Sequence, residues 1–202
     1  MEKTDEKDGP AMRICVFGAS SEKLRGEYYD EARALGALIG AQGHTLVYGG
    51  GRGGLMGACA AGVLEHGEAL VGVAPRFFDE GEVLLKERGE FRFTDTMAER
   101  KVLMESLADA FVVLPGGTGT FEEFFEVFTL AQLGRLSKPI VLLNTLGYYD
   151  ALLKLLRGAV GEGFVSASCL DLIALASTPG EALSLALSPR AHSARSIADY
   201  GK

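Results

Sequence analysis

Apolar and polar positions along the chain follow two alternating patterns. Short apolar runs, each typical of a buried strand, alternate with longer stretches that place apolar residues at helical spacing. The predicted strands are 13–17, 44–48, 69–74, 91–94, 110–114, 139–143 and 171–176. The predicted helices are 24–42, 55–66, 97–108, 121–133, 149–160 and 179–187. This alternation predicts an α/β fold, in which a parallel sheet has helices on both faces.

The folded part is predicted to be a single domain over residues 13–187. Residues 1–12 are polar and highly charged, which predicts a disordered tail, and residues 188–202 predict a weakly structured C-terminal tail. The stretch 75–90 is a charged connection between two of the strands.

Composition narrows the class of protein. The chain is 48% hydrophobic and 23% charged, as expected of a globular protein with a sizeable core. A net charge of −7 argues against a nucleic-acid partner. We find neither a signal peptide nor an apolar run of membrane-spanning length, so we expect no membrane partner and a cytoplasmic protein. Cys15, Cys59 and Cys169 have no CxxC spacing and are expected to be reduced.

Three glycine-rich loops, at 18–21, 49–57 and 115–120, each follow a predicted strand. The carboxyl ends of parallel strands meet at one edge of a sheet, which is where such folds bind ligands. The third loop reads Pro-Gly-Gly-Thr-Gly-Thr and opens a helix. Backbone N–H groups at a helix N-terminus bind anions, most often phosphate. The sequence therefore predicts a site for a phosphorylated small molecule.

Several familiar site motifs are missing from the sequence. The first loop reads Gly-Ala-Ser-Ser rather than GxGxxG, and no GxxxxGK[ST] loop occurs. His44, His66 and His192 lack metal-ligand spacing, so no metal is expected. There is no GxSxG nucleophile elbow. The pattern thus argues against a standard dinucleotide fold, a P-loop protein and a serine hydrolase.

Arg100 falls on the apolar stripe of the predicted helix 97–108, three residues after Met97 and four before Met104. A buried charge needs a partner, because an isolated ion in the interior is very costly. One interpretation is a structural ion pair or an arginine whose head reaches solvent. The other is a guanidinium that reaches into a cleft towards a phosphate or a carboxylate.

Glu123 lines up with Val127 and points towards apolar surroundings, whereas Glu122 and Glu126 share the more polar face of the same helix. A partly desolvated glutamate beside an arginine suits a general base or an electrostatic stabiliser. Alternatively, Glu122 and Glu123 both lie in the first helical turn and only complement the helix dipole. Glu122 fits that alternative better than Glu123 does.

The helix 121–133 is apolar nearly all round, with four phenylalanines at i, i+3, i+4 and i+7. A helix of this kind must be covered on most sides. Two arrangements satisfy that requirement: a central core helix, or a helix at a homodimer interface.

At these residues the chain resembles the LOG family, the cytokinin riboside 5'-monophosphate phosphoribohydrolases, whose members are often labelled lysine decarboxylases. The matching segments include YGGG at 48–51, GLMG at 54–57, ERK at 99–101 and PGGTGTFEE at 115–123. The resemblance extends from about residue 13 to about residue 187. It implies a Rossmann-like fold, a homodimer and hydrolysis of the N-glycosidic bond of a nucleoside 5'-monophosphate, with no cofactor or metal.

The resemblance also assigns roles to individual residues. It places the catalytic pair on Arg100 and Glu123. Its substrate-binding residues fall on Ser20, Ser21, Gly50, Gly51, Gly54, Met97, Lys101, Gly116, Gly117, Thr118, Gly119 and Thr120. Two departures from the family pattern, Arg52 and Ala98, lie near the expected base end of the site.

Three functions are compatible with the sequence. The first is an N-glycosidase acting on cytokinin-type or purine nucleotides, and the second is a non-catalytic carrier of a nucleotide or of molybdenum cofactor. A structural or interaction protein is the third, and three ligand-type loops argue against it. No residue pattern for a pyridoxal phosphate site is present.

Overall fold

A parallel sheet organises the chain in the computed structural model, which describes residues 10–188. Within that range seven strands hydrogen-bond in the order β4-β3-β2-β1-β5-β6-β7. The strands are β1 (Arg13–Phe17), β2 (Thr45–Tyr48), β3 (Leu70–Pro75), β4 (Glu90–Thr94), β5 (Ala110–Val113), β6 (Ile140–Leu143) and β7 (Ala174–Ala176). All six pairings are parallel, which confirms the predicted Rossmann-like α/β fold.

Helices cover both faces of the sheet, as predicted. They are α1 (Gly26–Ala41), α2 (Gly54–Leu64), α3 (Met97–Leu107), α4 (Thr118–Gln132), α5 (Asp150–Gly161) and α6 (Pro179–Leu187). One face packs against α1, α2 and α6, and the opposite face packs against α3, α4 and α5. Strand β1 contributes to both layers, with Ile14 and Val16 in the first core and Cys15 and Phe17 in the second. Because both faces are covered, the strand is continuously apolar from Ile14 to Phe17 rather than alternating.

The described residues change the predicted N-terminal boundary. Met12 donates its N–H to His44 Nδ1 at 3.1 Å, and its carbonyl accepts from the N–H of Thr45 at 2.9 Å. The residue just before β1 is therefore tied to the sheet rather than part of a tail. Residues 1–9 and 189–202 of the two predicted tails lie outside the described residues.

Helix α4 begins earlier than predicted, at Thr118 instead of residue 121. Gly117 is its N-cap, and the N–H of Phe121 donates to the Gly117 carbonyl at 3.0 Å. Glu122 and Glu123 consequently lie in the second turn, and the first turn contains no acidic residue. The predicted placement of both carboxylates in the first turn is wrong, and so is a purely dipole-complementing role, which decays beyond that turn.

The last strand is shorter than predicted. The chain forms a 3-10 turn at Ala167–Leu172, which buries Cys169, and pairs with β6 only over Ala174–Ala176. The first part of the predicted strand therefore lies outside the sheet. Its apolar residues Leu170 and Leu172 belong to the turn, which contacts α4 and α5.

The strand order reverses between β1 and β5, which are neighbours in the sheet although three strands, β2, β3 and β4, lie between them along the chain. Such a reversal leaves a crevice at the carboxyl ends of the strands. The loops after β1 and β5 are joined there by a hydrogen bond from the N–H of Ala19 to the Pro115 carbonyl at 3.1 Å. The N–H of Leu55 then donates to the Ala19 carbonyl at 2.8 Å. The three glycine-rich loops therefore gather at one edge, as predicted.

Candidate active site

A cavity of about 660 Å³ opens at this edge of the sheet. Its walls come from the three glycine-rich loops, from α3 and α4, and from the connection between β3 and β4. The predicted site residues that line it are Ser20, Gly51, Met97, Arg100, Gly117, Thr118, Gly119, Thr120 and Glu123. A cavity of this volume fits a small-molecule ligand.

The remaining predicted site residues do not line the cavity: Ser21, Gly50, Gly54, Lys101 and Gly116. Two of the glycines are needed for backbone shape. Gly54 has φ +62° and lies against the backbone of Ala19 and Ser20, where a Cβ would collide. Gly50 has φ +72°, which a side chain rarely adopts. They shape the cavity without facing it.

Arg100 and Glu123 form a buried ion pair in the cavity wall, which we call the inner pair. Arg100 Nη1 donates to Glu123 Oε1 at 2.6 Å, and Arg100 Nε donates to the Val73 carbonyl at 3.1 Å. The two side chains are only 8% and 10% exposed. Both interpretations of Arg100 are thus partly met, since the guanidinium is ion-paired and also faces the cavity.

The start of α3 aims Arg100 inward. Thr96 caps the helix by accepting from the N–H of Glu99 at 3.1 Å, and Glu99 Oε2 accepts from the N–H of Asp95 at 3.0 Å. These two capping bonds fix where the helix begins and hence which face Arg100 occupies. On the other side, a Cβ at Gly49 would collide with Arg100 Nη2, so only glycine leaves room for the guanidinium.

The Glu123 carboxyl has an altered acidity. Burial raises the pKa of Glu123 above its ordinary value, and the neighbouring Arg100 guanidinium offsets part of that rise. A carboxylate held in a cavity with a raised pKa is a stronger base than a solvated one. Perturbed acidity of this kind is common among catalytic groups.

Lys101 lies on the outer side of the same two helices. Its Nζ is 2.6 Å from Glu122 Oε1 and 2.8 Å from Glu126 Oε2, and we call these three residues the outer cluster. The two glutamates raise the pKa of Lys101 through their hydrogen bonds to it. The structure brings Lys101 to α4 and not to the cavity.

The turn between β5 and α4 presents the helix N-terminus to the cavity. Residues 117–120 line it, and the first N–H groups of a helix have no acceptor within the helix. A Cβ at Gly116 would collide with Thr120, so glycine is required there. Tyr148 donates its hydroxyl to the Gly116 carbonyl, and Tyr149 donates to the Leu114 carbonyl at 2.7 Å. The turn is therefore fixed from behind, with its N–H groups available to an anion.

Part of the cavity wall was not found by sequence reasoning. Additional lining residues include Glu22, Met56, Phe78, Glu82, Val83 and Leu84. Four of these belong to the stretch that we interpreted only as a charged connection. An antiparallel bridge between Leu84 and Gly51 brings that stretch to the site. Its apolar pairs, at 77–78 and 83–84, were the available signal.

We searched the described residues for metal-binding groups and for membrane-spanning helices. Within residues 10–188, the histidine, cysteine and acidic side chains form no group of three that could hold a metal ion. No helix in that range combines the length and apolar character needed to cross a membrane.

Solved structures of other proteins share this architecture. The molybdenum cofactor binding protein from the phototrophic bacterium Rippkaea orientalis superposes with a TM-score of 0.66 at 19% identity, covering 87% of this chain and 95% of that one. The molybdenum cofactor carrier protein from Chlamydomonas reinhardtii gives 0.65 at 20% identity, with the same coverage. At such identities the similarity establishes the fold alone.

Other proteins are more similar to this chain in sequence than these solved structures are. The family model described as "Possible lysine decarboxylase" matches residues 56–185. A probable cytokinin riboside 5'-monophosphate phosphoribohydrolase of Oryza sativa subsp. japonica is 44% identical over 171 residues, 85% of this chain and 77% of that protein. A cytokinin riboside 5'-monophosphate phosphoribohydrolase of Arabidopsis thaliana is 42% identical over 185 residues, 92% of this chain and 85% of that protein. The chain therefore belongs to the LOG family, the cytokinin riboside 5'-monophosphate phosphoribohydrolases.

Proposed function

We propose that this protein hydrolyses the N-glycosidic bond of a nucleoside 5'-monophosphate, giving the free base and ribose 5-phosphate. The observation that supports this most directly is the inner pair, which lies in the wall of a cavity that also receives the N-terminus of α4. A base and an anion site in one cavity suit a substrate with a phosphate at one end and a cleavable bond near its middle. The names of the family relatives agree with this reaction.

The strand order indicates how the nucleotide lies in the cavity. The turn after β5 takes the phosphate, and the lining residues between β3 and β4 lie at the opposite end. Three strand spacings, each about 4.8 Å, separate β5 from β3, so the cavity is roughly 14 Å across. That length accommodates a nucleoside monophosphate. The base then lies towards Met56, Phe78 and Leu84, on the apolar side of the cavity.

Glu123 has the chemical role in the proposed reaction. Cleavage of an N-glycosidic bond passes through a ribosyl group with oxocarbenium character. The Glu123 carboxylate stabilises that cation and accepts a proton from the attacking water as the new C–O bond forms. The C–N bond electrons leave with the base, which takes up a proton from solvent, and Glu123 returns the proton of the attacking water to solvent. Arg100 holds the carboxylate in place and keeps it ionised.

The phosphate turn contributes binding energy that aligns the ribose with Glu123. Charge-assisted hydrogen bonds are worth about 1.5–3 kcal/mol each, so losing two lowers kcat/KM by at least roughly a hundredfold. We therefore expect AMP to be a far better substrate than adenosine.

The test is release of free base by the purified protein from AMP and from isopentenyl-AMP, with the matching nucleosides as controls. Base release from either nucleotide supports hydrolysis, and the ratio of the two kcat/KM values shows whether the base is prenylated or plain. A carrier of the same fold would bind nucleotide and release no base. Equal kcat/KM for AMP and adenosine would contradict the assignment of the turn to phosphate.

The exposed apolar side chains of α3 and α4 bear on the oligomeric state. We propose a homodimer that packs partly through α4 and α3, where Phe125 is 38% and Val102 62% exposed. Large apolar side chains exposed together are typical of an interface. Light scattering that gives a 21.4 kDa monomer at micromolar concentration would contradict this assembly.

We also propose a cytoplasmic location and no nucleic-acid partner. The three buried free thiols Cys15, Cys59 and Cys169 fit a reducing compartment, and the net charge of −7 is unfavourable for binding nucleic acid.

A further inference from the structure

Residues 82–87 pack against the glycine-rich loop after β2. The N–H of Arg52 donates to the Val83 carbonyl at 2.9 Å, and the N–H of Leu85 donates to the Gly50 carbonyl at 2.8 Å. These bonds flank the antiparallel bridge between Gly51 and Leu84. A short ladder thus joins the β3–β4 connection to the loop that lines the cavity.

The Arg52 side chain reinforces that ladder with a second set of bonds. Its Nε donates to the Glu82 carbonyl at 3.3 Å, and its Nη2 donates to the Leu84 carbonyl at 3.1 Å. The same guanidinium meets Glu87 with two nitrogens, Nη1 at 2.8 Å and Nη2 at 2.9 Å. One planar group therefore bonds three residues of the segment at once. An ammonium cannot reproduce this arrangement, because it is a point charge without the fixed fork.

Other contacts hold mainly the C-terminal half of the segment, where Leu85 packs against the core and Lys86 pairs with Asp79. Leu84 is buried, but Glu82, Val83 and Glu87 are exposed. Glu82 also has φ +54°, a conformation that is costly for a residue with a side chain. Glu82 and Val83 have no burial to stabilise this conformation, so we expect their shape to depend on the ladder and on the Arg52 side chain.

The segment forms the cavity wall farthest from the phosphate turn. Glu82, Val83 and Leu84 line the cavity at the β3 end, three strands away from β5. In the proposed function this end receives the outer edge of the base. We propose that Arg52 is a specificity-determining positioning residue: it fixes residues 82–87 as a wall that contacts an apolar substituent on the base. The inference rests on the proposed function, because it concerns which base that site prefers.

Arg52→Ala and Arg52→Lys test the positioning, with Arg33→Ala as the matched control. Arg33 forms a comparable exposed pair, with Nε 2.6 Å from Glu65 Oε1, and does not line the cavity. Hydrogen exchange at the amides of residues 52 and 85 reports directly on the ladder. We expect faster exchange there in both Arg52 variants and wild-type exchange in the control. Unchanged exchange in Arg52→Ala would overturn the positioning role.

Selectivity tests the consequence. In wild type we expect kcat/KM for isopentenyl-AMP to exceed that for AMP, and the opposite order would overturn the wall as a contact for an apolar substituent. In Arg52→Ala this ratio falls by about tenfold, because an apolar pocket contact is worth about 10–200-fold in selectivity. The change appears in KM rather than in kcat, and inhibition by ribose 5-phosphate, which does not reach the wall, stays as in wild type. An unchanged ratio alongside faster exchange would show that Arg52 only stabilises the loop.

Failure of the proposed function gives a different result. If wild type releases no base from either nucleotide, hydrolysis is wrong, and calorimetric Kd values for the same two nucleotides take the place of kcat/KM. A tenfold loss of preference for isopentenyl-AMP in Arg52→Ala would then still support the wall. Equal Kd ratios in wild type and variant would overturn it, as would a wild type that binds neither nucleotide.

Discussion

The inner pair and the outer cluster join the same two helices, one residue apart in sequence, yet their environments are opposite. Arg100 and Glu123 are 8% and 10% exposed and face the cavity. In the outer cluster Lys101 is 14% exposed, but Glu122 is 57% exposed and meets solvent. A step of one residue turns a helical side chain by about 100°, which is enough to change its surroundings completely.

This comparison shows that attraction between opposite charges does not by itself indicate function. The N–O distance is 2.6 Å in both Arg100–Glu123 and Lys101–Glu122. The two pairs differ in how far their side chains are removed from water. Burial raises the pKa of Glu123, whereas hydrogen bonds raise the pKa of Lys101. The inner pair is therefore costly to break, and the outer cluster makes a modest contribution to helix packing.

The largest expected effect is that of Glu123→Gln. The amide keeps the shape of the side chain but cannot accept a proton, so base release should fall by about a thousandfold. Nucleotide binding, measured by calorimetry, should be retained. Glu122→Gln is the matched control from the outer cluster and should lose less than about threefold in activity. Wild-type turnover by Glu123→Gln would remove the distinction between the two glutamates.

Arg100→Ala should come next in effect and should differ from the first variant by also reducing stability. It leaves a buried carboxylate without its partner, at a cost of about 3–5 kcal/mol in the free energy of unfolding. Urea unfolding measures that cost. Arg100→Lys restores a charge but not the fork, so it should recover part of the stability. Full activity in Arg100→Ala would show that the arginine is only structural.

The pH dependence of kcat/KM sharpens the comparison. In the proposed mechanism activity requires ionised Glu123, so kcat/KM should fall as the pH drops through the pKa of that group. Because burial raises this pKa, the acidic limb should lie above the ordinary glutamate value of about 4.3. Arg100 lowers the pKa of Glu123. In Arg100→Lys the contact with Glu123 is looser and lowers this pKa less, so the acidic limb should move to higher pH. In Glu122→Gln it should stay in place, and a shift there would contradict the assignment.

The smallest effect is expected for Lys101→Ala. Its ion pairs involve partly solvated glutamates, so the loss should be about 1 kcal/mol or less, and activity should change by less than about threefold. Since the folded-state pKa of Lys101 is raised, this stabilisation is present below about pH 10.4 and is lost as the pH rises through the folded value. Unfolding curves at neutral and strongly alkaline pH test it. Loss of activity as great as in Arg100→Ala would break the comparison.

Much of this site could be predicted from sequence because helical periodicity is local. The phase of Arg100 relative to Met97 and Met104, and of Glu123 relative to Val127, predicts which side chains turn inward, and both are buried. The start of α4 is harder to predict from sequence. Gly117 and Thr118 are compatible with a turn or with a helix, and packing of the turn against Tyr148 and Thr120 accompanies the helical choice.

The sequence alone determined the α/β alternation, the gathering of three glycine-rich loops and the inward phase of the inner pair, because these depend on period and on chain direction. Only the tertiary structure decided that Arg100 meets Glu123, that Lys101 meets Glu122 instead of the cavity, and that residues 82–87 form a wall. Each of those contacts joins residues distant in sequence, such as Arg52 and Glu87. Local patterns do not specify such contacts, since they depend on how strands order within the sheet and helices pack upon it.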